Sequence, residues 1–297
     1  MNSSSEQTLE TIHAMRQQEE RGYSVVDYLS HLPKTTAALD TPVDASCRYV
    51  MAKWCNEIAD FCDYKRETVE IAMNCLDRFM ATPSGQEILL DRNLYQLAAM
   101  TALYSSVKIH EQEAMDPNLV SNLSRGAHSP QAVEAMESKM LAAIQWRVNP
   151  PTTMSFVRSI IELVPDELLL SSEKEGIFDV TKFQTQMIVT NYDFCKFDAS
   201  SIAFACLLNA IESVVDNDIS CTNFETTMAK YLLVDNACVR DLRMAIYELL
   251  HNSTDGNGLR IRNNSIPVKT ASPCAGSVEI QGNGIHSSPR TVTVGHR

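Results

Sequence analysis

The stretch Asn93–Ile109, NLYQLAAMTALYSSVKI, constrains this chain more than any other. It is apolar or small on every side over a helical length, and a helix without a wet face is a buried helix. Tyr95, Gln96, Thr101, Tyr104 and Lys108 make it too polar, and a span of about 17 residues makes it slightly short, for a bilayer crossing. It therefore reads as the core helix of a globular protein. Its small side chains, Ala98, Ala99, Thr101, Ala102, Ser105 and Ser106, let neighbouring helices approach from several directions at once. Lys108, read from the residues alone, compensates the C-terminal helix dipole.

Apolar periodicity places further helices around it. A helix over 45–63 carries Cys47, Val50, Met51, Trp54, Ile58 and Phe61 on one stripe and Ala52, Cys55, Ala59 and Cys62 on an adjacent face, so it needs two partners. Arg66–Met80 repeats the pattern and ends at a turn with Thr82, Pro83 and Gly85. A short helix follows from about Pro117 to Leu123. Ser129-Pro130 then opens a helix running to Trp146, with a Ser cap and Pro in the first turn. WRVNPPT, residues 146–152, cannot be helical, because each proline pushes its predecessor into an extended conformation. It reads as a linker. Beyond it, helices are expected over 153–164, 172–194, 199–215, 223–234 and 235–251.

Two matters of organisation follow. With an offset of 104, Ala99, Thr101, Ala102, Leu103, Ser106 and Val107 fall opposite Ala203, Ala205, Cys206, Leu207, Ala210 and Ile211, so a second small-residue core helix occupies the same place in the second half. The fold class is therefore all-α, with two five-helix repeats, each around a central helix. The expected domains are an N-terminal segment 1–44, the repeats 45–149 and 150–251, and a flexible tail 252–297 whose Asn, Ser, Gly and Thr content indicates disorder. In the N-terminal segment, residues 1–12 are expected to be mobile and His13–Ser30 to form an amphipathic helix.

Charge and punctuation narrow the function. The net charge is −12, and the tail holds five Lys/Arg against two Asp/Glu, so the body carries about −15. That disfavours nucleic-acid binding, which needs clustered positive charge. The nine cysteines include no C-x-x-C pair and read as small buried hydrophobes of a reducing compartment. MNSSSEQTLE has no basic n-region or apolar run, so no signal peptide is expected, and the expected locations are nucleus and cytoplasm. Only Gly22, Gly85, Gly126 and Gly176 precede residue 250, each isolated, which leaves no Gly-rich phosphate loop. No metal-ligand spacing, G-x-S-x-G or other catalytic constellation is present. No catalytic residue, metal or cofactor is expected, and the body reads as a binding protein with no enzymatic activity.

Four motifs in order, CRYVMAKWCNEI (47–58), ETVEIAMNCLDRFM (67–80), YQLAAMTALYSSVKIHE (95–111) and AMESKMLAAIQWRVNPPT (135–152), resemble the first cyclin box of cyclins. The likeness covers about 45–152 well, while 153–251 resembles the second box only in helix pattern. It implies a regulatory subunit that binds and activates a cyclin-dependent kinase in cell-cycle control and docks substrates or inhibitors carrying basic-apolar motifs. By position, Lys108 and Glu137 match the charged pair set against the kinase. Arg48 and Asp77 match an internal ion pair. Val50, Met51, Trp54, Glu57, Gln96 and Leu97 match the substrate-docking groove, with the face bearing Val50, Met51 and Trp54 expected to be open. Cys47 stands where that groove usually begins with Met, and residues 1–45 lack R-x-x-L, the usual mitotic destruction signal. The alternatives are a transcription-associated factor on the same double fold, or a non-activating helical scaffold.

Overall fold

A computed structural model describes residues 3–30, 42–164, 169–214, 228–229, 231–232 and 234–252; the expected tail from residue 253 onward and much of the expected helix 223–234 lie outside them. The described residues are helical, with no strand. They form two compact units.

The first unit gathers Val25–Pro150 with Val189–Lys196. Its helices, numbered as they occur in the chain, are α2 (Ala45–Phe61), α3 (Arg66–Met80), the short α4 (Pro83–Ile88), α5 (Arg92–His110), α6 (Pro117–Leu123) and α7 (Pro130–Ala143). The central stretch is α5. Thirteen consecutive residues, Tyr95–Val107, are buried, and α2, α3, α4, α6 and α7 all pack against it. The caps explain the boundaries. Asp44, Asp91, Asp116 and Ser129 each accept a hydrogen bond from a first-turn amide of the helix they precede, leaving fewer orphan donors at each N-terminus. Lys65, at the start of α3, has no side-chain cap of its own. Glu111, just past α5, serves instead: its Oε1 accepts from Lys65 N at 2.9 Å and from the Thr68 hydroxyl, tying the end of one helix to the start of another.

The turn expected after Met80 is the single-turn α4, capped by Thr82 with Pro83 in its first turn. Gly85 is required there. A Cβ at this position would collide with the backbone carbonyl of Phe79, so only a residue without one lets α4 fold back onto the end of α3.

The second unit holds the described residues of Met1–Ser24, Pro151–Ile188 and Phe197–Val268. It contains α1 (Ser3–Gly22), α8 (Thr153–Glu162), α9 (Ser171–Ile188), α10 (Ala199–Val214) and α11 (Asn236–Asn252). The small-residue helix α10 is buried along Ser200–Leu208, Ala210 and Ile211, and α8, α9 and α11 pack on it, as α5 is surrounded in the first unit.

Two expectations are corrected. Residues 3–12 are helical, because Ile12 is fully buried and α1 packs on α8. The helix then stops at Gly22. Residues 24–28 belong to no helix. The helix expected to reach Phe194 ends at Ile188, and Asn191 opens a separate 3-10 turn, Tyr192–Phe194, by accepting from Asp193 N at 2.9 Å. Helix α1 lies within the second unit, anchored where Glu19 Oε1 accepts from Ser200 N at 3.1 Å and Oε2 from Ser200 Oγ at 2.7 Å. A carboxylate on a first-turn amide of α10 is favoured by the helix dipole.

Candidate protein-binding surface

Two charged clusters lie on the first unit. At the end of α5, Lys108 Nζ sits 2.6 Å from Glu137 Oε1 of α7. Ser105, one turn earlier, donates to the same oxygen at 3.0 Å. The Lys108 ammonium lies 5.1 Å from the Tyr104 ring centroid, a cation–π contact. The carboxylate is thus half-buried and satisfied, at 13% side-chain exposure, while the lysine remains open at 42%. Burial lowers the lysine pKa, but the hydrogen bond and charge of Glu137 outweigh it, and the net shift is upward. The result is a fixed cation held at the surface.

Two large apolar side chains of the same unit are exposed: Ile109, next to Lys108 in the chain, at 44%, and Trp146, just past α7 and not singled out from the sequence, at 69%. The segment bearing Trp146 is tied to α5 and α3: His110 Nε2 lies 3.0 Å from Val148 O, and Arg78 donates to Ile144 O and Arg147 O. The available signal was Trp146 itself, the end of an amphipathic pattern just before a proline break.

The second cluster is internal. Arg48 donates Nε and Nη2 to the two carboxylate oxygens of Asp77 at 2.9 and 2.8 Å, and both residues are buried. Tyr28 OH donates to Asp77 Oδ1 at 2.8 Å, and Arg48 Nη1 to Val189 O at 2.9 Å. Tyr192 donates its hydroxyl to Asp27 at 2.8 Å, accepts from Leu29 N at 3.1 Å, and meets Tyr28 edge to face. Together Arg48 and Asp77 hold two non-helical stretches, around residue 28 and around residue 189, onto α2 and α3. Burial in apolar surroundings pushes the Tyr28 phenol well above its ordinary pKa, with the Asp77 charge adding to it, so it stays a donor.

The six groove positions are not one open face. Met51, Trp54, Gln96 and Leu97 are buried, while Val50 and Glu57 are half-buried. The expectation that the Val50–Met51–Trp54 face is open is corrected: α3 and α5 both pack on α2, and Met51 and Trp54 join the same core cluster as Val25, Tyr28 and Val43. Phe61, read as part of the buried stripe, is 38% exposed at the helix end. Two polar features remain near this face. Trp54 Nε1 is buried without a hydrogen-bond partner, and Gln96 Oε1 lies 3.3 Å from His128 Nε2.

Chemistry is not evident in the described residues. None of them forms a group of three or more His, Cys, Asp or Glu positioned to hold a metal. Burial pushes the thiols up, Cys47 to about 11, Cys55 to about 12 and Cys75 to about 11, which makes them poor nucleophiles. No described helix is long and apolar enough to cross a membrane.

Fold and surface together define a tandem all-helical protein among the described residues, each half built around one small-residue helix, with a surface ion pair and exposed apolar side chains on the first half. Residues 10–149 match the family described as "Cyclin, N-terminal domain" and residues 151–269 that described as "Cyclin, C-terminal domain". The chain belongs to the cyclin family. It is 26% identical over 166 residues to G1/S-specific cyclin-E1 of Rattus norvegicus, covering 54% of this chain and 38% of that protein. It is 23% identical over 188 residues to G2/mitotic-specific cyclin-2 of Medicago sativa, covering 63% of this chain and 54% of that one. The chain thus spans about two fifths to a little over half the length of these two relatives. The X-ray structure of a viral cyclin from herpesvirus saimiri superposes with a TM-score of 0.57 at 15% identity, over 80% of this chain and 97% of that one, a likeness of fold.

Proposed function

We propose that this protein is a regulatory subunit that binds and activates a cyclin-dependent kinase in cell-cycle control, acting in nucleus and cytoplasm and contributing no catalytic residue. The observation that carries the reading is the Lys108–Glu137 pair, held at 2.6 Å with the lysine outward and next to exposed Ile109, on a unit that also exposes Trp146. A fixed cation on a surface with exposed apolar side chains is the anatomy of a protein-binding hot spot, where a desolvated charge and an aromatic anchor carry most of the energy. Kinases need an internal Lys–Glu ion pair and an ordered activation loop. A rigid helical partner that binds that arrangement better than the inactive one shifts the population toward it.

The test is binding of a recombinant cyclin-dependent kinase subunit to the Lys108→Ala/Glu137→Ala double variant. Loss of about 2 kcal/mol or more of binding, roughly thirtyfold, is expected, with little change in melting, because an ion pair this exposed contributes at most about 1 kcal/mol to stability. Unchanged affinity overturns the reading.

Substrate docking is the second part of the proposal. Of the groove positions, Val50 and Glu57 on α2 are only half-buried and are the ones a peptide can reach, whereas Met51 and Trp54 lie in the core. Glu57 favours a neighbouring Arg or Lys on such a peptide. Capture of a peptide with Arg beside Leu, lost on Glu57→Lys, would support it. Equal capture by both proteins would count against it.

A further inference from the structure

Helices α6 and α7 end in the same way. After α6, Arg125 N bonds to Asn122 O at 2.9 Å and Gly126 N to Ser121 O at 3.1 Å. After α7, Gln145 N bonds to Ala142 O at 3.1 Å and Trp146 N to Leu141 O at 2.8 Å. Both are Schellman caps, the paired closure that satisfies the last carbonyls of a helix. In both, two consecutive residues take positive φ: 55° and 75° at Arg125 and Gly126, 57° and 59° at Gln145 and Trp146.

The second position separates them. At the end of α6 it is glycine, although a Cβ there would meet open space, so φ alone is the reason for it. At the end of α7 the same conformation is imposed on a tryptophan, where the left-handed region carries a steric cost for any L side chain. A large side chain kept in strained backbone, and 69% exposed, persists only if its surroundings over-determine it, and such outliers concentrate at functional positions.

The surroundings are visible. Arg78, on α3 and 8% exposed, donates Nη1 to Arg147 O at 2.7 Å and Nη2 to Ile144 O at 3.3 Å. Its guanidinium therefore grips the carbonyls on either side of the Gln145–Trp146 pair, and Arg147 N closes the turn onto Ile144 O at 3.2 Å. The planar fork suits this task, since both bonds come from one rigid group.

We propose that Arg78 is a positioning residue that clamps the left-handed turn and so presents Trp146 as a rigid apolar anchor for the partner kinase. This rests on the kinase reading above. Rigidity is the advantage: a side chain already fixed in its bound geometry loses less freedom on binding.

The test uses the full chain and three readouts. Trp146→Gly should melt higher than Trp146→Ala, since only glycine relieves the strain; equal or reversed order shows that the turn is not held left-handed and overturns the proposal. With Trp54→Phe as background, Trp146 is the sole tryptophan, and Arg78→Met should lower its fluorescence anisotropy, with Arg78→Lys, which reaches one carbonyl, as the milder variant should Arg78→Met fail to fold. Unchanged anisotropy in the folded variant overturns the clamp. Affinity for a recombinant cyclin-dependent kinase subunit should fall about tenfold on the Arg78 substitution when Trp146 is present and not further when Trp146 is already Ala. An equal loss in both backgrounds shows a merely structural arginine. If Trp146→Ala binds the kinase normally, the anchor role falls, while anisotropy and melting still judge the clamp.

Discussion

Arg48 and Asp77 meet in a two-point fork, Nε and Nη2 against both carboxylate oxygens at 2.9 and 2.8 Å, with 3% and 2% of the residues exposed. Tyr28 and the Val189 carbonyl complete the hydrogen bonding. Burial by itself would pull the Arg48 pKa down, but the Asp77 charge and hydrogen bonds raise it, so the guanidinium is charged at every accessible pH.

Asp77→Ala therefore strands a buried cation. It should cost about 3–5 kcal/mol, a fall in melting temperature on the order of 10 °C for a domain of this size. Asp77→Leu combined with Arg48→Met should recover much of that loss, since a packed apolar pair replaces the ion pair without an uncompensated charge. Thermal melts of the single and double variants check both statements, and a single-variant shift of less than 2 °C would contradict the buried pair.

Trp54 is core. Trp54→Ala should leave a cavity and cost about 3–5 kcal/mol, read by denaturant unfolding. The neighbouring Cys47 is fully buried. Cys47→Met thus adds volume to a closed site and should destabilise by about 1–3 kcal/mol, where an open groove would have tolerated the larger side chain.

His128 carries a pH dependence. Desolvation pushes its pKa below the usual 6.5, opposed by the charge of Asp91. A depressed folded value means that the unfolded chain binds the proton more readily, so stability is full above pH 6.5 and is lost as pH falls from there through the folded pKa. His128→Gln should flatten that decline. Melts of both proteins at paired pH values between about 7.5 and 5 isolate the contribution, because the carboxylates titrate alike in each. Parallel curves would contradict it.

Gly85→Ala should destabilise the α3–α4 corner, since the methyl group would run into the Phe79 carbonyl, a backbone atom that cannot swing away. A cost of roughly 1–3 kcal/mol, the scale of overpacking, is expected in chemical denaturation. A neutral substitution would show that the corner is loose.

What the residues determined by themselves is local. The all-round apolarity of α5 and α10 required burial whatever surrounded them, and Asp116-Pro117, Ser129-Pro130 and the prolines at 150–151 punctuated the helices through φ restriction and side-chain capping, effects that act within a turn of the chain. What only the tertiary structure decided is which face each element covers. Arg48 and Asp77 could be paired beforehand only through resemblance to cyclins. Tyr28 and Val189, which complete their hydrogen bonding, lie 49 residues before Asp77 and 141 after Arg48, beyond any periodicity. The stripe through Met51 and Trp54 looked open because one helix face can meet only one neighbour, yet Val25 and Val43, outside any helix and silent in a helical pattern, join its core. The strain at Trp146 was hidden for the same reason. A left-handed tryptophan is tolerable only where a distant side chain, here Arg78, holds the carbonyls on either side, and that bond exists only once α3 and α7 have packed.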